Sequence, residues 1–443
     1  MKPTEVFFAY AALALVALAL AAPGAGAEAH WPAWRGPDNN GAAPQGNPPT
    51  TWSETENIKW KVALPGSGQS TPVVWGDKMF ILAAAPADGS AVVRGGEDEG
   101  GGRGRRMSTG SPRVDWIFEI VCLDRNSGEI LWRQTAARER PQEGHHPTGS
   151  FAPYSAVTDG KHVWASFGSR GLYCYDLEGK LQWSQPLAKM ETRMGFGEGS
   201  SPALTDDAVI VLQDHEGQSR IGAYAKADGK LLWEKNRDEI TSWSTPHVVT
   251  EGGVTQVITN ATDRIRSYNA ATGDVIWECG GMTVNVVPTP LTGFGKAYCA
   301  SGFRGAALTA VDLSSTGDVT GKPAWHIGEH TPYVPTPLLY GERLYYLEGL
   351  NARISCANAK TGEVIFARKS IESLGLVYAS PVGAGGHVYV ADRGGMVAVL
   401  ADSDSFEVVA TNKLDDGFDA SPVVAGDTLY LKGNTYLYCI AAS

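Results

Sequence analysis

Short apolar runs follow one another along the whole chain, each closed off by Gly, Pro, Asp or Asn, as in "SPALTDDAVIVL" and "SPVGAGGHVYVA". This punctuation predicts short strands joined by tight turns. The runs recur with a period of about 44 residues, and a fixed period of that length decides an architecture before any single element is assigned. A Ser-Pro or Thr-Pro pair opens a strand at Thr71-Pro72, Ser201-Pro202, Thr245-Pro246, Thr289-Pro290, Thr336-Pro337, Ser380-Pro381 and Ser421-Pro422. An eighth copy lies at Tyr154-Ser155, where the Pro is missing but "AVTDGKHVW" matches "ALTDDAVIV" of the next unit.

Each unit ends on a second signature: a small residue, Asp or Asn two positions on, then Gly, two apolar residues and Trp. "CLDRNSGEILW" reaches Trp132, "CYDLEGKLQW" Trp183, "AYAKADGKLLW" Trp233, "SYNAATGDVIW" Trp277 and "CANAKTGEVIF" Phe366. The fifth unit stretches the signature to Asp312, Gly317 and Trp325, and the seventh, around Ala398, has lost the Gly and the Trp. Asp or Asn accepts backbone donors in a turn and Gly takes a positive φ, so the signature reads as the hairpin between third and fourth strands. The Trp on the last strand is then a wedge between units. The eighth unit stops at Cys439-Ile440-Ala441 without a fourth strand, while "NIKWKVAL" around Trp60 stands ahead of the first unit as an orphan one. The fold expected is all-β: an eight-bladed β-propeller of four-stranded antiparallel blades over residues 58–443, its last blade closed by the N-terminal strand around Trp60. Pro at the start of each innermost strand fits, because that edge has no ladder bond to lose.

Composition agrees: 53 Gly, 25 Pro, 13 Trp and 16 Tyr suit strands and turns. A net charge of −11 leaves no general positive field for nucleic acid or anionic lipid. Lys2 precedes an apolar run from Val6 to Ala22, and Ala25-Gly26-Ala27 offers a small-x-small cleavage pattern. Residues 1–27 are therefore expected to be a signal peptide, the mature chain to start near Glu28, and the protein to be periplasmic or secreted with no transmembrane segment after leader removal. Residues 28–57, with "WPAWRGPDNNG", form an N-terminal extension expected to wrap the surface. Residues 86–115, with "GGEDEGGGRGRR", are expected to interrupt blade 1 between its second and third strands as a Gly/Arg-rich insertion without fixed structure.

Cys122, Cys174, Cys356 and Cys439 share one repeat position, filled elsewhere by Ala223, Ser267, Ala310 and Ala398. Such a position wants a small side chain inside a blade, and equivalent sites in neighbouring blades stand too far apart to bridge. Cys279 and Cys299, on adjoining blades, are the pair for which a disulfide stays open. His145-His146 and Asp214-His215-Glu216 are dense in ligand atoms but lack a recognised metal spacing, and they are read as solvated loops, with no metal site expected.

The units resemble the pyrroloquinoline quinone (PQQ) repeat, and the resemblance covers residues 58 to 441. It implies one of two kinds of protein: a quinoprotein dehydrogenase, which holds PQQ and a calcium ion on the propeller axis, or a non-enzymatic relative such as the outer-membrane assembly lipoprotein, a protein-interaction scaffold. Quinoprotein alcohol dehydrogenases typically carry two adjacent Cys forming a disulfide ring over PQQ, and this chain has no Cys-Cys pair. No family motif matches residue by residue for the calcium ligands or the catalytic Asp. The expectation is therefore an exported, non-catalytic binding or scaffolding propeller, monomeric, without a cofactor or catalytic residues, whose partner is an envelope protein or polysaccharide. The alternative is a PQQ- and calcium-dependent dehydrogenase using Glu198, Asn285 and Asp419 as ligands and base.

In a propeller the loop entering the first strand and the loop between the second and third strands share a face. Residues just before each Ser/Thr-Pro position are then expected to form an inner rim: Phe151, Glu198, Trp243, Tyr333, Tyr378, Phe418 and Asp419. Five blades offer an aromatic there, suited to stacking on a ligand or to plugging the channel. The hairpins on the same face carry Arg170, Arg220, Arg264, Arg304, Arg353 and Arg393, one in each of blades 2 to 7. They read as a basic ring favouring an acidic ligand, or as ordinary solvent-facing hairpin residues.

Overall fold

The computed structural model describes residues 30–92 and 108–442, so the leader and the centre of the Gly/Arg-rich insertion lie outside the described residues. The eight expected units are eight antiparallel sheets. Blade 1, for example, runs Val73–Trp75, Lys78–Pro86, Trp116–Asp124, Ile130–Glu139 from the inner to the outer edge. In blade 8, Val423–Ala425, Thr428–Lys432 and Tyr436–Ile440 are completed by Ile58–Ala63, with Trp60 opposite Cys439. The ring is closed by its own N-terminal strand.

Two sets of contacts hold neighbouring blades together, and each explains one half of the repeat. The Ser or Thr at each of the eight equivalent positions accepts a bond at its hydroxyl oxygen from the backbone N–H of the equivalent residue one blade earlier. The series runs Thr71 N to Ser155 Oγ (3.0 Å), Ser155 to Ser201 (2.9 Å), Ser201 to Thr245 (3.1 Å) and Thr245 to Thr289 (3.1 Å). It continues Thr289 to Thr336 (3.0 Å), Thr336 to Ser380 (2.9 Å), Ser380 to Ser421 (3.0 Å), and closes with Ser421 N to Thr71 Oγ1 (3.2 Å). A complete circle of bonds therefore surrounds the axis, and its amides, which have no strand beyond them to pair with, are satisfied.

The second set is the Trp wedge. Trp183 of blade 2 donates its indole N–H to Lys226 O in blade 3 (2.9 Å) and lies on Gly229, where an added Cβ would stand 2.5 Å from Cε3 and where φ is +73°. Only Gly tolerates both demands. Trp60, Trp132, Trp233 and Trp325 repeat the contact on the next blade. Trp277 does not: in the stretched fifth unit, Gly317–Asp318 pairs in parallel with blade 4's fourth strand and leaves Trp277 fully buried, bonded to Gln256 instead. The repeat-position residues Cys122, Cys174, Cys356 and Cys439 are buried inside their blades, and all six Cys are free thiols, including Cys279 and Cys299.

Over residues 31–43 the N-terminal extension departs from the expected surface wrap, while residues 47–57 run over blades 7 and 8. Trp31 pairs with Val74 of blade 1, Pro32 O accepts Thr158 N of blade 2, and Asn39 bonds His247 of blade 4. Further along, Asn40 O accepts Leu339 N of blade 6, Ala42–Ala43 adds a parallel strand inside blade 7, and Asn47 N reaches Asp427 of blade 8. The segment crosses the end of the channel formed by the hairpins between first and second strands and covers it. Trp31, at 0% exposure, draws the first part inward, and Trp52, at 4%, packs on Tyr389 of blade 7.

Candidate functional site

With one end covered, the channel becomes a cup open at the other. Its volume is about 460 Å³, and Trp34 of the extension contributes to its lining. The walls include Thr71, Ser155, Ser201, Thr245 and Ser421 from the ring of hydroxyls, with Trp243, Tyr333, Tyr378 and Asn285 from loops entering the first strands. Phe303 and Arg304 come from the hairpin between the second and third strands of blade 5, and Arg193, Met194 and Phe196 from the long connection between blades 2 and 3. The two loop types do share a face. Phe303 stacks on Tyr333 with ring centroids 5.0 Å apart, and Trp243 is fixed by its indole N–H on Gly197 O (2.6 Å).

Of the seven rim residues, five line this cup: Glu198, Trp243, Tyr333, Tyr378 and Asp419. Phe151 and Phe418 do not. Phe151 packs edge-on against Trp116 at 4.6 Å in the core of blades 1 and 2, and Phe418, at 0% exposure, packs against Tyr438 in the core around blade 8. Both are large aromatics, and burial between blades outweighs exposure at a wet mouth.

The basic ring is corrected in the same way. Arg170 is buried, bonded to Glu198 (3.0 Å). Arg393 pairs with Asp419 (2.6 Å) and lies over the Tyr378 ring. Arg220 pairs with Glu234, Arg264 with Glu278, and Arg353 stands 3.7 Å from Glu348. Only Arg304 of the six lines the cup, exposed, over the face of Phe303 and, among the described residues, in no ion pair. The repeat places Arg at one position, but acidic residues on adjacent strands (Glu234, Glu278) or on neighbouring loops (Glu198, Asp419, Glu348) stand beside all the others.

Glu198 is the best-held carboxylate of the cup. It accepts bonds from Tyr154 Oη (2.9 Å), Ser169 N (2.7 Å), Arg170 Nη1 (3.0 Å) and Gln142 Nε2 (3.2 Å). Gly168, at φ +57°, is required beside it, because a Cβ there would sit 1.7 Å from the carboxylate. Burial and the adjacent Glu198 charge push the Tyr154 phenol well above its ordinary value, so it stays a donor. Below the cup wall, Arg35 of the extension is fully buried and donates to Pro337 O (3.1 Å) and Pro381 O (2.9 Å), leaving Nε and Nη1 without partners. Burial without a carboxylate lowers its pKa to about 9.

The two clusters read as solvated loops are largely buried. Asp214 forms a bidentate pair with Arg237 (2.7 and 3.1 Å) with both side chains enclosed, and His215 accepts Gly217 N at Nδ1 (3.1 Å). His145 is buried against Phe151, and that burial lowers its pKa. Among the described residues no three His, Cys, Asp or Glu side chains converge as a metal site. The donors named for calcium do not fit the ion: Glu198 is committed to an arginine and three neutral donors and Asp419 to Arg393, whereas calcium needs six to eight oxygens. Of that set, Asn285 Oδ1 is buried without a partner.

This architecture, eight four-stranded blades closed by a hydroxyl ring and Trp wedges, is the PQQ-type propeller. A family model described as outer membrane protein assembly factor BamB matches residues 118–368 and 217–443, and the chain belongs to that family. No curated protein matches the chain. Among solved structures it is similar to BamB from Moraxella catarrhalis at 15% identity and TM-score 0.56, covering 86% of this chain and 98% of that one. It is also similar to a europium-containing methanol dehydrogenase (10%, TM-score 0.63, 93% and 98%) and to the quinohemoprotein alcohol dehydrogenase from Comamonas testosteroni (10%, TM-score 0.61, 93% and 80%). At these identities the structures share the fold.

Trp34, Arg193, Phe303 and the hydroxyl ring were not singled out from sequence. The ring had a signal, the Ser/Thr beside each Pro, which reads locally as a strand start. Arg193 belongs to a connection outside the repeat and had none.

Proposed function

We propose that this chain is a non-catalytic binding or scaffolding propeller of the cell envelope, and that its open cup is where a partner, protein or glycan, engages. The observation that carries the reading is the one-ended cup: aromatic rings and hydrogen-bonding groups line it, while its two carboxylates are held by arginines and are not free for acid–base work. Membership of the BamB family supports an envelope setting. The dehydrogenase reading rests on the likeness to quinoprotein folds and on the axial position of the cup.

The test is photo-crosslinking in envelope extract from a probe at Leu350, on the cup, against one at Lys235, on an outer strand. Adducts specific to Leu350 support the proposal, and equal or absent labelling removes it. A melting midpoint raised by several degrees with PQQ plus calcium would replace it with the dehydrogenase reading.

A further inference from the structure

We propose that the cup binds the terminal residue of an acidic glycan, its carboxylate or sulfate held by Arg193 and Arg304 and its ring lying against Trp243 and Tyr333. The inference rests on the binding-module reading and names the ligand of that site.

The charge around the cup carries the first step. Glu198 and Asp419 are each matched by an arginine, Arg170 and Arg393. Arg193 and Arg304 also line the cup and, among the described residues, make no ion pair. A chain of net charge −11 thus keeps two uncompensated guanidinium groups at one cavity. Guanidinium presents a planar fork that matches carboxylate and sulfate oxygens.

The neutral groups carry the second. Each ring hydroxyl already accepts a backbone N–H, which leaves its own proton to donate, and five of these hydroxyls, those of Thr71, Ser155, Ser201, Thr245 and Ser421, stand in the wall. The unpartnered Asn285 Oδ1 adds an acceptor at another point of the cup, while Gln69 and Thr148, also in its lining, are bonded to Ser150, to each other and to His146. Polar groups spread around a wall, with aromatic faces between them, match a polyhydroxylated ring that has one apolar face.

The shape carries the third. A volume of about 460 Å³ lies in the range of small-ligand sites, about 300–1,000 Å³. Trp34 and the extension close the far end, so a polymer cannot thread through. The cup receives a chain end.

The experiment is calorimetric titration of the purified protein with digalacturonate, neutral galactobiose and benzene-1,3-dicarboxylate at low and high salt. The expected result is saturable binding of digalacturonate, weakened at least about tenfold for galactobiose, for Arg193→Gln and for Arg304→Gln, and weakened by salt. Both arginines reach solvent, so unchanged melting midpoints in the variants separate lost binding from lost folding. Equal affinity for galactobiose, arginine variants that bind like the parent, or tighter binding of the aromatic dicarboxylate would each overturn the proposal. Adducts at Leu350 with no digalacturonate binding would remove the glycan while leaving the binding-module reading intact.

Discussion

Thr289→Val tests whether the circle of hydroxyl bonds is a structural closure. Thr289 is fully buried, does not line the cup, and accepts Thr245 N at 3.1 Å. Valine keeps the volume and the β-branching and removes only the oxygen, while the residue's own N–H keeps its bond to Thr336 Oγ1 (3.0 Å). The Thr245 amide is then buried without an acceptor, which costs about 1–3 kcal/mol. With an unfolding entropy near 2.1 cal/mol/K per residue over roughly 400 residues, about 2 kcal/mol lowers the midpoint by about 2–3 °C. The assay is a set of matched thermal and urea melts. Thr289→Ser should recover most of the loss, and Thr250→Val, which removes an exposed hydroxyl pair with Thr255, should change nothing measurable. A Thr289→Val midpoint within about 0.5 °C of the parent would refute the closure.

Two further outcomes follow from buried groups. His247 accepts Asn39 Nδ2 at Nδ1 and donates to Thr292 Oγ1, both at 2.8 Å, and burial lowers its pKa to about 4. Its unfolded value is near 6.5, so the unfolded chain binds the extra proton between those values and stability falls as pH drops through that window. The loss reaches about 2 kcal/mol at pH 5, and it should be smaller in His247→Gln when urea midpoints at pH 7 and pH 5 are compared; parallel shifts would count against it. All six thiols are free and buried, and burial raises the pKa of Cys122, Cys174 and Cys356 to about 12. A thiol reagent should label none quickly in the native protein and six residues' worth in denaturant, and labelling of only four would reveal a Cys279–Cys299 bond.

The fold was legible because a propeller repeats its chemistry eight times. Ser/Thr-Pro, the turn Gly and the Trp each recur because each makes one contact per blade, so blade number and closure through Trp60 could be read from spacing. The rim was legible only in part. Position in the repeat indicates which loop a residue enters, but not which way its side chain turns, and Phe151 and Phe418 turned into the cores between blades. The arginine ring failed for a related reason. A charge is neutralised by partners on another strand, such as Glu234 for Arg220 or Glu278 for Arg264, and no single-strand pattern shows them. The polar composition of the extension hides its anchors: the burial of Trp31 and Arg35 depends on a ring that must first close, and that of Trp52 on its packing against Tyr389 of blade 7.

The repeated and unrepeated residues divide the work of the cup. The hydroxyls belong to the repeat: their oxygens close the ring by accepting amides, and five of them also present protons to the cavity. A cup wall of this kind accompanies any propeller built on the Ser/Thr-Pro unit and by itself selects no ligand. Selectivity has to come from positions that differ between blades, such as Arg304, the one repeat arginine in the cup, and from residues outside the repeat. Trp34 arrives from the extension, Arg193 and Phe196 from the connection between blades 2 and 3, and Phe303 from a single hairpin. Exchanging those segments between related propellers would move ligand preference with little effect on the ring, whereas substitutions in the ring would change stability first and binding only as a consequence.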